Sequence, residues 1–312
     1  MTKNHRNFYV ATFMLIASSS VLADLPLTVE DLITEKGKVT LDATVTYANN
    51  NRQGIASGES IIVQIGPTSF ITVPTRIGEM HTDADTTIGT IGLRYGLTKD
   101  AELYGRGSYL WSASRSSSFS DVSNSNSNGF SDAWLGLNYR ILEEGKTPAL
   151  LGFVEVALAE RFNESHSAAK SWLLGATTYR VIDPVVLSLT AAYRFNQERT
   201  DRDQRYKPGN FLMLNPSLAF AVNDRITVSG GVQWLNRQPN RLDGLTHHFR
   251  RTTTELNAGL AYGLSDATTL NFSISTYASG IGGANVRFNL LHRFGKRPDV
   301  TSQPFFKKEN AS

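Results

Sequence analysis

Acidic and basic side chains recur at alternate positions in several stretches of this sequence, with apolar residues or glycine between them. In "AELYGRGSY", for example, Glu102 and Arg106 alternate with Leu103 and Gly105. Successive residues of a β-strand point to opposite faces, so this period of two places the charges on one face of a sheet. The candidate site residues chosen by this alternation are Arg94, Glu102, Arg106, Asp132, Arg140, Glu155, Lys170, Arg180, Arg194, Glu255, Arg287 and Arg293. Such side chains can form ion pairs with one another or line a path for charged solutes.

Residues suited to catalysis are sparse. The histidines that follow the first 23 residues are His81, His166, His247, His248 and His292. The first four fall in predicted loops, and no carboxylate at ligand spacing joins the adjacent pair His247 and His248. The glycine-rich "GIGGA" at 280–284 lies between predicted strands, whereas a dinucleotide-binding fingerprint is followed by a helix. We therefore expect no enzymatic activity, no metal site and no cofactor.

The first 23 residues have the pattern of a secretory signal peptide. Lys3 and Arg6 precede an apolar run at 8–17, and small residues lead to Ala23. The apolar run has ten residues, about half of the ~20 that a transmembrane helix needs. Removal of this peptide leaves 29 Lys and Arg against 28 Asp and Glu, since it contains two bases and no acids. A net charge of +1 gives no support for a nucleic-acid partner.

Twelve segments carry the alternating pattern, each of eleven to thirteen residues. Strands of soluble proteins average ~5–6 residues, whereas tilted membrane strands need ~9–11. The length of the segments therefore favours a barrel that spans a membrane. The predicted strands are 37–48, 86–97, 101–112, 130–141, 149–159, 170–181, 185–196, 210–222, 225–236, 251–263, 267–277 and 284–294.

Short and long connections alternate between the predicted strands, as in outer-membrane barrels with short periplasmic turns and long external loops. The long connections are 49–85, 113–129, 160–169, 197–209, 237–250 and 278–283. The first includes two β-rich pieces, Ile61 to Ile65 and Phe70 to Val73. They are predicted either to form an external hairpin or to fold inward as a constriction.

The apolar face of the strands is predicted to meet lipid. Its aromatic residues form one row near the short turns and another near the long loops, the arrangement of interfacial girdles. These residues are Tyr95, Tyr139, Tyr179, Phe220 and Tyr262 in the first row, and Tyr47, Trp111, Phe195 and Trp234 in the second. Unpaired charges in a soluble core would be costly, whereas charges that line water are not. The predicted fold is an all-β, transmembrane, antiparallel up-and-down β-barrel of about 12 strands. Its register also turns Tyr104, Trp134, Trp172 and Tyr277 inward.

The segment before the first strand, "DLPLTVEDLITEKG", has the capping pattern of a short helix. It is predicted either to plug the periplasmic mouth, with Glu30, Asp31 and Glu35 meeting the basic lumen, or to be a flexible leader. The predicted organisation is a signal peptide at 1–23, a periplasmic segment at 24–36, the barrel at 37–294 and a basic periplasmic tail at 295–312.

Three stretches resemble the outer-membrane family associated with phenol meta-pathway degradation clusters. They are "GLRYGLTKDAELYGRGSY", "AWLGLNYRI" and "SWLLGATTYRVIDPVVLSLTAAYRF". This resemblance implies a monomer-sized barrel and a role in transport, often the uptake of hydrophobic or aromatic compounds. The barrel type is also similar to the secretion channel of functional-amyloid systems, although this sequence has no coiled coil with heptads.

Three functions follow from these expectations. The first is passive transport of small, aromatic or anionic solutes through an outer-membrane channel gated by the first loop or the N-terminal segment. The second is export of an unfolded fibre or amyloid subunit, and the third is a structural or adhesive barrel that presents the Ser- and Asn-rich loop 114–128. The expected location is the outer membrane of a Gram-negative bacterium. The expected partners are outer-membrane lipid, the barrel assembly machinery, a small solute or an exported polypeptide, and a second copy in a homo-oligomer.

Overall fold

The structure is a computed structural model. It describes residues 33–50, 60–64, 70–74, 85–117, 122–162, 165–201, 204–247, 249–279 and 283–295. The predicted signal peptide, Glu30, Asp31 and all but the first residue of the predicted tail therefore lie outside the described residues.

Twelve long antiparallel strands form a closed barrel, which confirms the predicted fold. Each strand pairs with the strands that precede and follow it in the chain. The first strand also pairs with the last, so the sheet closes. The strands are β1 (Val39–Asn50), β2 (Asp85–Gly96), β3 (Ala101–Ser117), β4 (Val122–Leu142), β5 (Ala149–Phe162), β6 (Ser171–Ile182), β7 (Val185–Asn196), β8 (Phe211–Ala221), β9 (Ile226–Arg237), β10 (Arg251–Ser265), β11 (Thr268–Tyr277) and β12 (Gly283–Phe294).

Strand β1 shows which face meets the core. Thr40, Asp42 and Thr44 are buried inside the barrel, and Asp42 is 0% exposed. Val45 and Tyr47 point outward and are 51% and 43% exposed. The polar face of the strand therefore lines the lumen and the apolar face covers the outside.

The outer surface has the two aromatic rows of a membrane barrel. Tyr95, Tyr139, Phe220 and Tyr262 are exposed near the short turns, and Tyr47, Trp111 and Phe195 are exposed near the long loops. Together with the closed sheet, this apolar band places the protein in the bacterial outer membrane. No helix among the described residues is long and apolar enough to span a membrane.

The long connections carry additional strands. Ser60–Gln64 and Phe70–Pro74 pair as an antiparallel hairpin, called here the loop 1 hairpin. Four short strands from the connections after β7 and β9 form a separate sheet, in the order 199–201, 204–207, 240–242 and 245–247. Strands β3 and β4 run five and eight residues further into the long-loop side than predicted, since their pairing continues to Ser117 and Val122.

The predicted orientation of β6 is wrong. Trp172 is 42% exposed on the outside, whereas Tyr179 is buried inside. Arg180 shares the outward face with Trp172, and its guanidinium donates to the Gly145 carbonyl in a short turn. Lys170 precedes the strand and is only partly buried. The alternation failed here because apolar side chains lie on both faces of β6, among them Leu173, which is fully buried on the inner face.

Candidate functional site

The inner face of the barrel brings together most of the predicted site residues. Seven of them are buried: Arg94, Glu102, Arg106, Arg140, Glu155, Arg194 and Glu255. By strand alternation, Asp132, Arg287 and Arg293 also point inward and are partly buried. Lys170 and Arg180 do not belong to this set, because Arg180 lies on the outward face of β6 and Lys170 precedes that strand.

Glu102 on β3 is the centre of one buried polar group. Its Oε1 accepts from Asn138 Nδ2 at 2.7 Å and lies 3.3 Å from Arg94 Nη1. Arg94 also lies 3.7 Å from Asp42, which accepts from Asn289 Nδ2 at 2.6 Å. These contacts compensate for the cost of removing buried charges from water. They brace neighbouring strands of the wall from β12 to β4.

Residues 33–38, called here the N-terminal segment, enter the lumen from the short-turn end. The Thr34 backbone N–H donates to Glu102 Oε2 at 2.7 Å. Ile33 is 1% exposed and belongs to a buried apolar cluster with Ala149, Leu151, Tyr179, Val186, Ala219 and Leu291. Because this cluster joins β5 to β8 and β12, whereas Glu102 lies on β3, the segment lies between walls on different sides of the lumen.

Two glycines allow the N-terminal segment to turn back from β1 into the barrel. Gly37 has a φ of 78°, a left-handed conformation that favours glycine, and its N–H donates to the Gly96 carbonyl at 2.8 Å. A Cβ atom at Gly96 would overlap the carbonyl oxygens of Thr34 and Glu35. The segment can therefore pass over β2 only because residue 96 has no side chain.

Glu35 does not meet the basic lumen as predicted. Its carboxylate forms an ion pair with Lys38 and is 38% exposed. The contacts that hold the N-terminal segment in the lumen are instead those of an apolar side chain and a backbone amide, at Ile33 and Thr34. The acidic residues before β1 therefore did not predict how this segment is held.

A second buried polar group lies towards the long-loop end. Tyr104 donates to Glu155 Oε1 at 2.7 Å, and Arg106 lies 3.2 Å from Glu155 Oε2. Glu160 pairs with Arg194 and lies 3.3 Å from Arg199.

The Trp134 ring lies between two guanidinium groups of this part of the wall. Their carbon atoms are 5.2 Å from the ring centroid for Arg106 and 4.8 Å for Arg194. Both distances are within the range of cation–π contacts. Arg194 also lies 5.9 Å from the Phe211 ring. These residues, called here the Trp134 stack, group aromatic and cationic side chains that are all buried in the lumen.

The sequence interpretation missed Glu160, which was assigned to a loop. The pairing of β4 with β5 shifts between Ala133 and Trp134, and the shift turns Glu160 inward after Ala157. A β-bulge of this kind changes which alternate residues face the core. The one available signal was the continued β-pattern of "VALAERF" beyond residue 159.

The inner face of β6 to β9 carries an apolar cluster beside the polar Arg194 and Asn196 near the long-loop end. Leu173, Ala192, Phe211, Met213 and Leu235 form one buried cluster, called here the apolar inner wall. The second strand of the loop 1 hairpin, Phe70–Pro74, has Cα atoms within 8 Å of those of β7 and β8. The hairpin starts from the β1–β2 connection, six strands away around the ring, so it extends across the barrel opening.

The sequence matches the family described as "MetA-pathway of phenol degradation" over residues 33–280. The chain belongs to this family. The family match begins at the N-terminal segment and covers β1 to β11. No curated protein sequence matches the chain.

Two solved structures show the same fold as this family member. An outer-membrane channel from Pseudomonas putida F1 is similar with a TM-score of 0.60 and 12% sequence identity, over 85% of this chain and 98% of that one. The NanC porin is similar with a TM-score of 0.50 and 8% identity, over 81% of this chain and 100% of that one. No group of three or more potential metal ligands occurs among the residues that the structure describes.

Proposed function

We propose that this protein is a passive outer-membrane channel that the structure represents in a closed form. The observation that carries this proposal is the position of Ile33 and Thr34 inside the barrel, between walls on different sides of the lumen. Short turns of outer-membrane barrels lie on the periplasmic side. The N-terminal segment therefore occludes the periplasmic end, and the loop 1 hairpin lies across the external opening.

Solutes with aromatic or anionic groups fit this lumen best. The Trp134 stack brings an indole ring and two guanidinium groups together on the inner wall, where they are buried in the closed form. Charges of both signs face inward: the ten predicted residues comprise six arginines and four acids, and Asp42, Glu160 and Arg199 add two acids and one base. The related channel from Pseudomonas putida F1, with 12% identity, supports the architecture of such a channel. Passage requires the N-terminal segment to leave, because it fills the space between Glu102 and the apolar cluster around Ile33.

The experiment is single-channel conductance in planar bilayers. We expect the mature chain 24–312 to pass little current and a chain without residues 24–36 to pass steady current. Replacement of the loop 1 hairpin in that shortened chain by a short Gly-Ser linker should raise the current further, because two barriers lie in series.

The alternatives give different results. Equal current from the mature and the shortened chain would show that the N-terminal segment does not occlude the pore. No current from any variant, in barrels shown to be folded by their heat-dependent gel mobility, would contradict the channel function itself.

A further inference from the structure

The outer surface of the barrel has a concave region of about 860 Å³. It is called here the outer trough. The trough is lined by neighbouring strands between β10 and β4. Most of its lining side chains point away from the lumen, among them Ala43, Ile91, Phe130, Leu260 and Leu290. The outside of a barrel is ordinarily convex, so a recess of this size on the membrane face is a distinct feature of the wall. Its volume falls within the roughly 300–1,000 Å³ of ligand sites.

Small residues form the floor of the outer trough, and aromatic pairs form its sides. Ala43, Gly89 and Gly107 lie on the floor. On one side the rings of Tyr109 and Trp111 are 4.7 Å apart, and on the other side those of Phe272 and Phe288 are 5.0 Å apart. The Trp111 ring lies over Gly89, where a Cβ atom would be 3.1 Å from it. Larger side chains at these floor positions would fill the trough.

We propose that the outer trough binds an acyl chain of a membrane lipid. The trough is continuous with the lipid-facing surface, and it extends from Trp111 in the aromatic row near the long loops to Tyr262 in the row near the short turns. Water cannot fill an apolar recess inside the hydrocarbon layer at low cost, and an empty recess would lose dispersion contacts on one side. An acyl chain supplies those contacts. This site depends on the membrane location of the barrel and not on the channel function.

The test is native mass spectrometry of the mature protein purified from outer membranes in mild detergent. We expect wild-type protein to retain one acyl-bearing lipid and Gly107→Leu to lose it. A Cβ atom at Gly107 has its nearest neighbour at 4.0 Å, so the substitution has room within the wall. The matched control is Gly105→Leu, which adds the same side chain to the same outward face of β3 but outside the trough. This control should retain the lipid.

Three results would overturn the proposal. They are wild-type protein without bound lipid, equal lipid retention by Gly107→Leu, and loss of lipid from Gly105→Leu as well. Dimer ions that appear with wild-type protein and disappear with Gly107→Leu would identify a second copy as the occupant instead. Heat-dependent gel mobility of each variant distinguishes loss of lipid from failure to fold.

Discussion

Single residues hold the N-terminal segment inside the barrel. Glu102 is fully buried and binds Arg94, Asn138 and the backbone of Thr34. Removal of one partner from a buried ion pair costs about 3–5 kcal/mol, because the remaining charge has lost its compensation. The same carboxylate thus stabilises the wall and anchors the N-terminal segment. Gly96 has the complementary role, since it provides the space through which the segment passes.

We expect Gly96→Ala to open the channel. The new Cβ atom would occupy the positions of the Thr34 and Glu35 carbonyl oxygens, so the N-terminal segment must leave its place beside β2. No lumen side chain is altered by this substitution. Conductance of the variant in planar bilayers should rise to that of the chain without residues 24–36.

The control for this prediction is Gly145→Ala. Gly145 lies in a short turn, and a Cβ atom there has no neighbour within 4 Å. This variant should conduct like the wild type. A Gly96→Ala protein that folds and stays closed would show that the N-terminal segment is not held by its close approach to β2.

At the scale of elements, the orientation of β6 and the position of the loop 1 hairpin are both related to the apolar part of the inner wall. The inner face of β6 to β8 contributes to the apolar clusters around Ile33 and Met213, and the second strand of the hairpin lies near β7 and β8. Polar-in and apolar-out alternation requires a lumen filled with water, and this part of the lumen is filled with protein. Trp172 therefore points outward and Tyr179 points inward, the reverse of the prediction, because the inner wall carries apolar side chains here.

We expect the loop 1 hairpin to crosslink to the inner face of β8. The sequence has no cysteine, so paired substitutions give an unambiguous product. Thr72→Cys lies in the hairpin strand that approaches β8, and Met213→Cys lies on the apolar inner wall. A short flexible bis-maleimide should join the two, as measured by mass spectrometry of the intact protein.

The matched pair is Thr72→Cys with Leu212→Cys, whose side chain points outward from the same strand. It should give no crosslink. Equal yields from both pairs, or none from either, would contradict the position of the hairpin across the opening.

At the scale of the whole molecule, the orientation in the membrane determines what each mouth of the barrel meets. The extended β3–β4 hairpin should lie outside the cell. Ser123→Cys is at its tip, and an impermeant thiol reagent should label it on intact cells. Lys99→Cys, in a short turn where the Lys99 side chain is 82% exposed, should be labelled only after lysis. Labelling of Lys99→Cys on intact cells would show the opposite orientation.

The sequence by itself determined the number of strands, their approximate ends and the outward direction of the apolar face. These properties follow from a period of two within each strand, which is local information. Glu102, Arg106 and Arg194 were placed on the inner face in this way. The length of the strands and the alternation of short and long connections determined the barrel.

Only the tertiary structure decided which groups meet across the lumen. The bulge that turns Glu160 inward, the position of Ile33 in a cluster that joins β5 to β8 and β12, and the outer trough all depend on contacts between strands far apart in the sequence. A closed barrel converts such distant residues into neighbours through its curvature and register. Local alternation carries no information about that curvature, and this is the physical reason why these features were not visible in the sequence.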